Sequence, residues 1–93
     1  MSKSELDNKL ELKLAKHLQQ LREEKGLSQE SLGLQLQKGQ SDIAKIESGK
    51  KRITVLELLN WANVLGVSIE RLNKIINDLY SNNLNKTSFW NRE

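Results

Sequence analysis

The stretch Ser28–Arg52, SQESLGLQLQKGQSDIAKIESGKKR, decides how the chain folds. Ser28 precedes Gln29 and Glu30, so its hydroxyl can accept from an unpaired backbone amide while Glu30 complements the positive end of the helix starting there. Leu32 and Leu36 stand one turn apart, and Gly33 beside them admits close approach by another helix. This spacing predicts a short helix from about Ser28 to Leu36, a break over Gln37, Lys38 and Gly39, and a second short helix from Gln40 to Ser48. Gly49 and the basic run Lys50, Lys51, Arg52 close it. Two brief helices around so tight a joint make a helix-turn-helix.

At about 100° per residue, Ile43, Ile46 and Glu47 gather on one side of the second helix, with Ser41, Lys45 and Ser48 opposite and Ala44 at the edge. The inner face is apolar, and the outer face is small and polar. Small side chains let a helix backbone enter the major groove of DNA, where Gln40 can pair with adenine, Lys45 can reach guanine O6 and N7, and Ser41 can serve several bases. Lys50, Lys51 and Arg52 follow where phosphates flank the groove. A solvated helix with a solubilising basic loop has the same composition, so the residues alone leave both readings open.

Leu27-Ser28-Gln29-Glu30, then Gln40-Ser41-x-Ile43-x-Lys45-Ile46-Glu47-x-Gly49-Lys50, then Leu65-Gly66-Val67-Ser68 form a set far more specific than any one of them. Over roughly Leu10 to Leu72 the chain resembles the lambda-repressor-like (Cro, xenobiotic-response-element) transcriptional regulators. The resemblance implies an all-α, compact five-helix DNA-binding domain in which Gln40, Ser41, Asp42, Ala44 and Lys45 form the base-reading surface. It also implies that Gln29 buttresses Gln40 and that Ser48, Lys50, Lys51 and Arg52 meet phosphates. Glu47 falls on the inward side of its helix, and a buried carboxylate needs a partner or takes up a proton. Arg22 lies at the edge of the first helix's apolar stripe, and the family often pairs an arginine there with this glutamate. An Arg22–Glu47 ion pair is expected.

Two departures from the family pattern matter. Where the family has glycine, an apolar residue and a capping serine or threonine in the turn, this chain has Gln37, Lys38 and Gly39. Holding a non-glycine residue left-handed costs roughly 1–2 kcal/mol, so the turn is expected to shift toward Gly39, with the Lys38 stem laid over the core and its ammonium wet. Asp42 either accepts from cytosine N4 or repels the DNA backbone.

The chain has 93 residues, a length at which roughly 60% of the surface can be buried around one modest core. Fifteen basic residues against 12 acidic ones give a net charge of +3, permissive for nucleic acid without being diagnostic. Cysteine is absent and histidine occurs once, which leaves no disulfide framework, thiolate metal site or histidine cluster; no metal or cofactor is expected. Met1 to Lys9 lacks the apolar core of a secretory signal, and no apolar run approaches the roughly 18 residues of a membrane span. A cytoplasmic regulator of bacterial or phage type is the expected setting. Valine, isoleucine and threonine never alternate, so strands are not expected.

Ser4 with Glu5 and Asp7 starts a first helix whose Leu6, Leu10, Leu14, Leu18 and Leu21 recur every three or four residues up to Gly26. Residues 1–9 extend this helix ahead of a domain over 10–80. Lys13, Lys16 and His17 are read as polar surface. Thr54 and Glu57 have capping-box spacing, after which Val55, Leu58, Leu59, Trp61, Ala62 and Leu65 supply an apolar face that Gly66 ends. Trp61 is read as core. Ser68 caps a fifth helix with Ile69, Leu72, Ile75, Ile76, Leu79 and Tyr80 at helical spacing. The far part of that stripe, Leu72, Ile75, Ile76, Leu79 and Tyr80, is either a longer core face or the interface of a homodimer.

Residues 81–93 (SNNLNKTSFWNRE) are polar and asparagine-rich, the composition of an irregular tail, yet carry Phe89 and Trp90 side by side. Those aromatics can dock on the domain, bridge a dimer or bind a protein partner. Paired carboxylates in a recognisable setting, a nucleophile with its base and a glycine-rich phosphate loop are all missing, so an enzyme is not expected. The leading function is a dimeric, sequence-specific repressor on double-stranded DNA. The alternative is a protein-interaction module or antitoxin-type adaptor using the same fold.

Overall fold

The computed structural model describes residues 5–84. Five helices and no strand occur among them: α1 (Glu5–Glu24), α2 (Gln29–Leu36), α3 (Gln40–Glu47), α4 (Val55–Val64) and α5 (Ile69–Leu84). Phe89 and Trp90 lie outside the described residues. The fifth helix runs to Leu84, past the point where the polar composition suggests an irregular tail. Asparagine and serine are merely poor helix formers, and a helix already under way absorbs them.

Local chemistry sets the boundaries. Ser28 Oγ accepts from the Ser31 amide at the start of α2. Thr54 and Glu57 form a reciprocal capping box at α4: Glu57 N donates to Thr54 Oγ1 at 3.1 Å and Thr54 N to Glu57 Oε1 at 2.9 Å. Ser68 Oγ accepts from the Arg71 amide at the start of α5. The turn between α2 and α3 corrects one expectation. Gln37 itself takes the left-handed conformation, at φ 59° and ψ 44°, while Gly39 stays extended. The turn's N–H groups close the helix end, with Gln37 N donating to Leu34 O and Lys38 N to Gly33 O, and these bonds offset the strain.

Gly33 is needed for this closure. A Cβ on it would sit 2.7 Å from the Lys38 carbonyl oxygen, so what approaches is the turn's own backbone rather than another helix. Gly49, at φ 79°, plays the matching part after α3, where a Cβ would meet a Leu12 methyl at 2.7 Å.

The helices α2 and α3 pack on each other, α1 packs on α3 and α5, and α4 on α2. Leu18 and Leu21 of α1, Leu32 of α2, Ile43 and Ile46 of α3, Trp61 and Leu65 of α4 or its end, and Ile75 of α5 share one core. Each such side chain removed from water contributes roughly 1.5–3 kcal/mol. Trp61 is fully buried, and its indole Nε1 has no hydrogen-bond partner. Val55 and Leu59 depart from the expected apolar face of α4: both are exposed, as is Leu56.

The α5 stripe also divides. Leu72 and Ile75 are only 8% and 3% exposed and Leu79 packs against the core, so these three belong to the monomer's interior and are not free for a partner. Ile76 and Tyr80, at 45% and 50%, remain outside with Ile69. Polar clasps fasten α5 to α1. Arg71 donates to both carboxylate oxygens of Glu24 at 3.0 and 3.1 Å, and His17 Nε2 donates to Asp78 Oδ2 at 2.9 Å with Lys13 Nζ 3.4 Å away. The hydrogen bonds from Arg71 and from His17 hold the Glu24 and Asp78 carboxyls below their ordinary values. His17 is thus a half-buried interhelix link rather than plain surface.

Candidate nucleic-acid interface

Ile43, Ile46 and Glu47 turn α3's inner side into the core, which leaves Ser41, Lys45 and Ser48 exposed and Ala44 half-buried. The helices that pack on α3, α1 and α2, meet the side that carries the buried residues. Gly39 provides no side-chain cap for α3, so its first backbone donors face outward, a position suited to a phosphate oxygen.

Behind the face lies a polar chain that reaches the core. Arg22 and Glu47 are 8% and 7% exposed and meet side by side: Arg22 Nε donates to Glu47 Oε2 at 2.6 Å and Nη2 to Oε1 at 2.9 Å. The third guanidinium nitrogen, Nη1, donates to the Leu27 carbonyl at 2.6 Å, which ties α1 to the entry of α2. The hydrogen bond to Glu47 raises the Arg22 guanidinium further above its ordinary value, against the opposing effect of burial. Gln29 Nε2 donates to Glu47 Oε1 at 3.0 Å, and Gln40 Nε2 donates to Gln29 Oε1 at 2.8 Å. One hydrogen-bonded line therefore runs from α1 through α3 and α2 to the first residue of the exposed helix.

The basic rim is more tethered than the sequence suggests. Lys51 Nζ lies 3.6 Å from Asp42 Oδ1, so the odd carboxylate on the face is partly neutralised by the cation expected at a phosphate. Arg52 Nε pairs with Glu11 of α1, and Ser48 Oγ donates to the Lys45 carbonyl at 3.1 Å. Lys45 and Lys50 enter no ion pair among the described residues. Glu11 and Glu57 are partners that sequence reasoning misses. Glu57 accepts from Lys38 at 2.8 Å, holding that ammonium in a half-buried ion pair rather than free in water. That bond, with the Thr54 amide, lowers the Glu57 carboxyl from 4.5 to about 2. No local signal marks either residue, because the partners lie 41 and 19 positions away.

Among the described residues no helix is long and apolar enough to cross a membrane, and no group of three or more His, Cys, Asp or Glu is placed to hold a metal ion. A family model described as helix-turn-helix matches residues 18–79, which takes in both helices of the motif, the basic rim and most of α5. Comparison with curated proteins and with solved structures found no match.

Proposed function

Because the chain belongs to the Cro/C1-type helix-turn-helix family of DNA-binding regulators, we propose that it is a sequence-specific repressor that inserts α3 into the major groove as a homodimer. The observation that carries this reading is the bare outer side of α3, with Gln40 held at its start and free cations at Lys45 and Lys50. In this reading Gln40, Ser41, Asp42, Ala44 and Lys45 face base edges. Lys50, Lys51, Arg52 and Ser48 face phosphates, and Gln29 steadies Gln40. Lys51 and Arg52 can swing from their carboxylate partners, since exposed ion pairs are weak, commonly under about 1 kcal/mol.

Regulation needs only occupancy of promoter DNA in the cytoplasm, with no catalytic step and no cofactor. A second copy docks along the exposed part of α5. Ile69, Ile76 and Tyr80 support that placement, because they lie in one stripe at spacings of seven and four residues beside the buried face. A twofold dimer then sets half-sites about one helical turn, roughly 34 Å, apart.

Selection of bound duplexes from a random pool at stated salt tests the reading. Enrichment of a two-half-site sequence, with a log-affinity slope of roughly −5 to −9 against log salt for some 6–10 phosphates, supports it. Equal affinity for selected and random duplexes refutes it.

A further inference from the structure

We propose that the buried Arg22–Glu47 pair makes Gln40 prefer adenine over guanine, acting through the side-chain amide of Gln29. This rests on the DNA-reading function above and adds to it a device that fixes which atoms Gln40 has left to offer.

The amide oxygen and nitrogen of a glutamine are nearly alike in shape, so its orientation is set by what surrounds it. Here the surroundings allow one answer. Both Glu47 oxygens take guanidinium N–H groups from Arg22, and a carboxylate so engaged has only lone pairs to present. The Gln29 atom 3.0 Å from Glu47 Oε1 must therefore be its NH2, which turns Gln29 Oε1 away toward α3. That oxygen is again a pure acceptor, so the Gln40 atom 2.8 Å from it must be an NH2 as well. A charge pair in the core thereby dictates the polarity of two amides in succession.

Gln40 is left with one N–H and one carbonyl oxygen. Adenine presents N7, an acceptor, and the N6 amino group, a donor, which complement that remainder. Guanine presents two acceptors, N7 and O6, and needs two donors. With one N–H already given to Gln29, Gln40 cannot supply both. Glu47 and Gln29 are positioning residues, which touch no base themselves.

The test uses the full chain and four measurements. A Gln40→Ala variant first identifies the base pair that Gln40 reads, as the position where preference is lost. Wild type and Gln29→Met are then compared on the selected duplex carrying adenine or guanine there, and on an unrelated duplex. Methionine keeps the length of Gln29 and leaves the buried ion pair intact. In the free protein, side-chain amide NMR of wild type reads one Nε2 proton each of Gln29 and Gln40 as hydrogen-bonded, and Gln29→Met loses the signal at Gln40.

The expected result is a roughly tenfold fall in the adenine-to-guanine affinity ratio in Gln29→Met, with affinity for the unrelated duplex unchanged. A wild type with clear sequence preference whose ratio survives Gln29→Met, or whose Gln40 position is not adenine, overturns this inference alone. Absence of the two hydrogen-bonded amide signals overturns it without reference to DNA. A wild type without any sequence preference overturns the DNA-reading function and this inference with it, even where the amide signals are present.

Discussion

Arg22 and Glu47 stand 25 residues apart in the chain and meet in the core through two hydrogen bonds, at 2.6 and 2.9 Å. Removing one member strands the other's charge where water does not reach, at a cost of about 3–5 kcal/mol. Glu47→Ala or Arg22→Ala should lower the melting temperature by more than about 10 °C in a domain this size. The double replacement Arg22→Met with Glu47→Leu should recover a good part of that loss, since no charge is then left alone. Thermal melts followed by circular dichroism decide it: single variants within a few degrees of wild type would show that the pair carries little of the fold.

The turn makes two opposite demands on glycine. Gln37→Gly should stabilise the protein by up to about 1 kcal/mol, because glycine enters the left-handed conformation at φ 59° without the penalty that glutamine bears. Gly33→Ala should destabilise by about 1–3 kcal/mol despite alanine's better helix propensity, because its methyl would sit 2.7 Å from the Lys38 carbonyl. Urea unfolding of both variants measures the signs; the same sign in both would contradict the geometry.

Acid should act through Glu57. Its folded-state value of about 2 lies below the ordinary 4.5, so its contribution is whole above about pH 4.5 and is lost as the pH falls toward 2. Over that window the unfolded chain takes up a proton that the folded chain resists. Glu57→Gln keeps the reciprocal cap and removes the charge facing Lys38. The stability difference between wild type and Glu57→Gln should hold steady from pH 7 to 5 and shrink from pH 4.5 to 2. A difference that grows with acid would contradict the ion pair.

Charge on the α3 face should sort by role. Lys45→Ala should relax preference at one base pair by about 1–3 kcal/mol. Lys51→Ala should weaken binding to all duplexes and reduce the salt slope by about 1, with an added loss because Asp42 is released 3.6 Å from its partner. Asp42→Asn should strengthen binding to unrelated duplexes by freeing Lys51. Fluorescence anisotropy across salt concentrations separates these; a Lys51→Ala effect confined to one sequence would reverse the assignment.

The exposed part of α5 should matter for assembly alone. Tyr80→Asp or Ile76→Asp should shift sedimentation toward the monomer while the melt stays cooperative. Leu72→Ala or Ile75→Ala should instead unfold the domain, at about 2–5 kcal/mol each. Unchanged sedimentation of both aspartate variants would place the second copy elsewhere.

The motif itself is legible from periodicity. Ile43, Ile46 and Glu47 repeat at helical spacing, and their burial follows from that spacing alone. Thr54 and Glu57 mark their helix start for the same local reason. Illegible are relations that depend on distant chain. Nothing near Arg52 or Lys38 announces Glu11 or Glu57, and the division of α5 into core residues Leu72 and Ile75 and outer residues Ile76 and Tyr80 depends on how α1 lies across it. The left-handed Gln37 escapes a sequence reading because its intrinsic cost is visible there, whereas the backbone hydrogen bonds that the closed turn gains are not.

The outer face of α3 is where a duplex must be felt. Amide chemical-shift mapping of the labelled protein, titrated with a selected duplex at low salt, measures this most directly. If α3 reads the major groove, the largest changes fall on Gln40, Ser41, Ala44, Lys45 and the 48–52 rim, while α5 beyond Ile75 stays still in a preformed dimer. A spectrum in which residues 40–52 do not move on adding any duplex would contradict it.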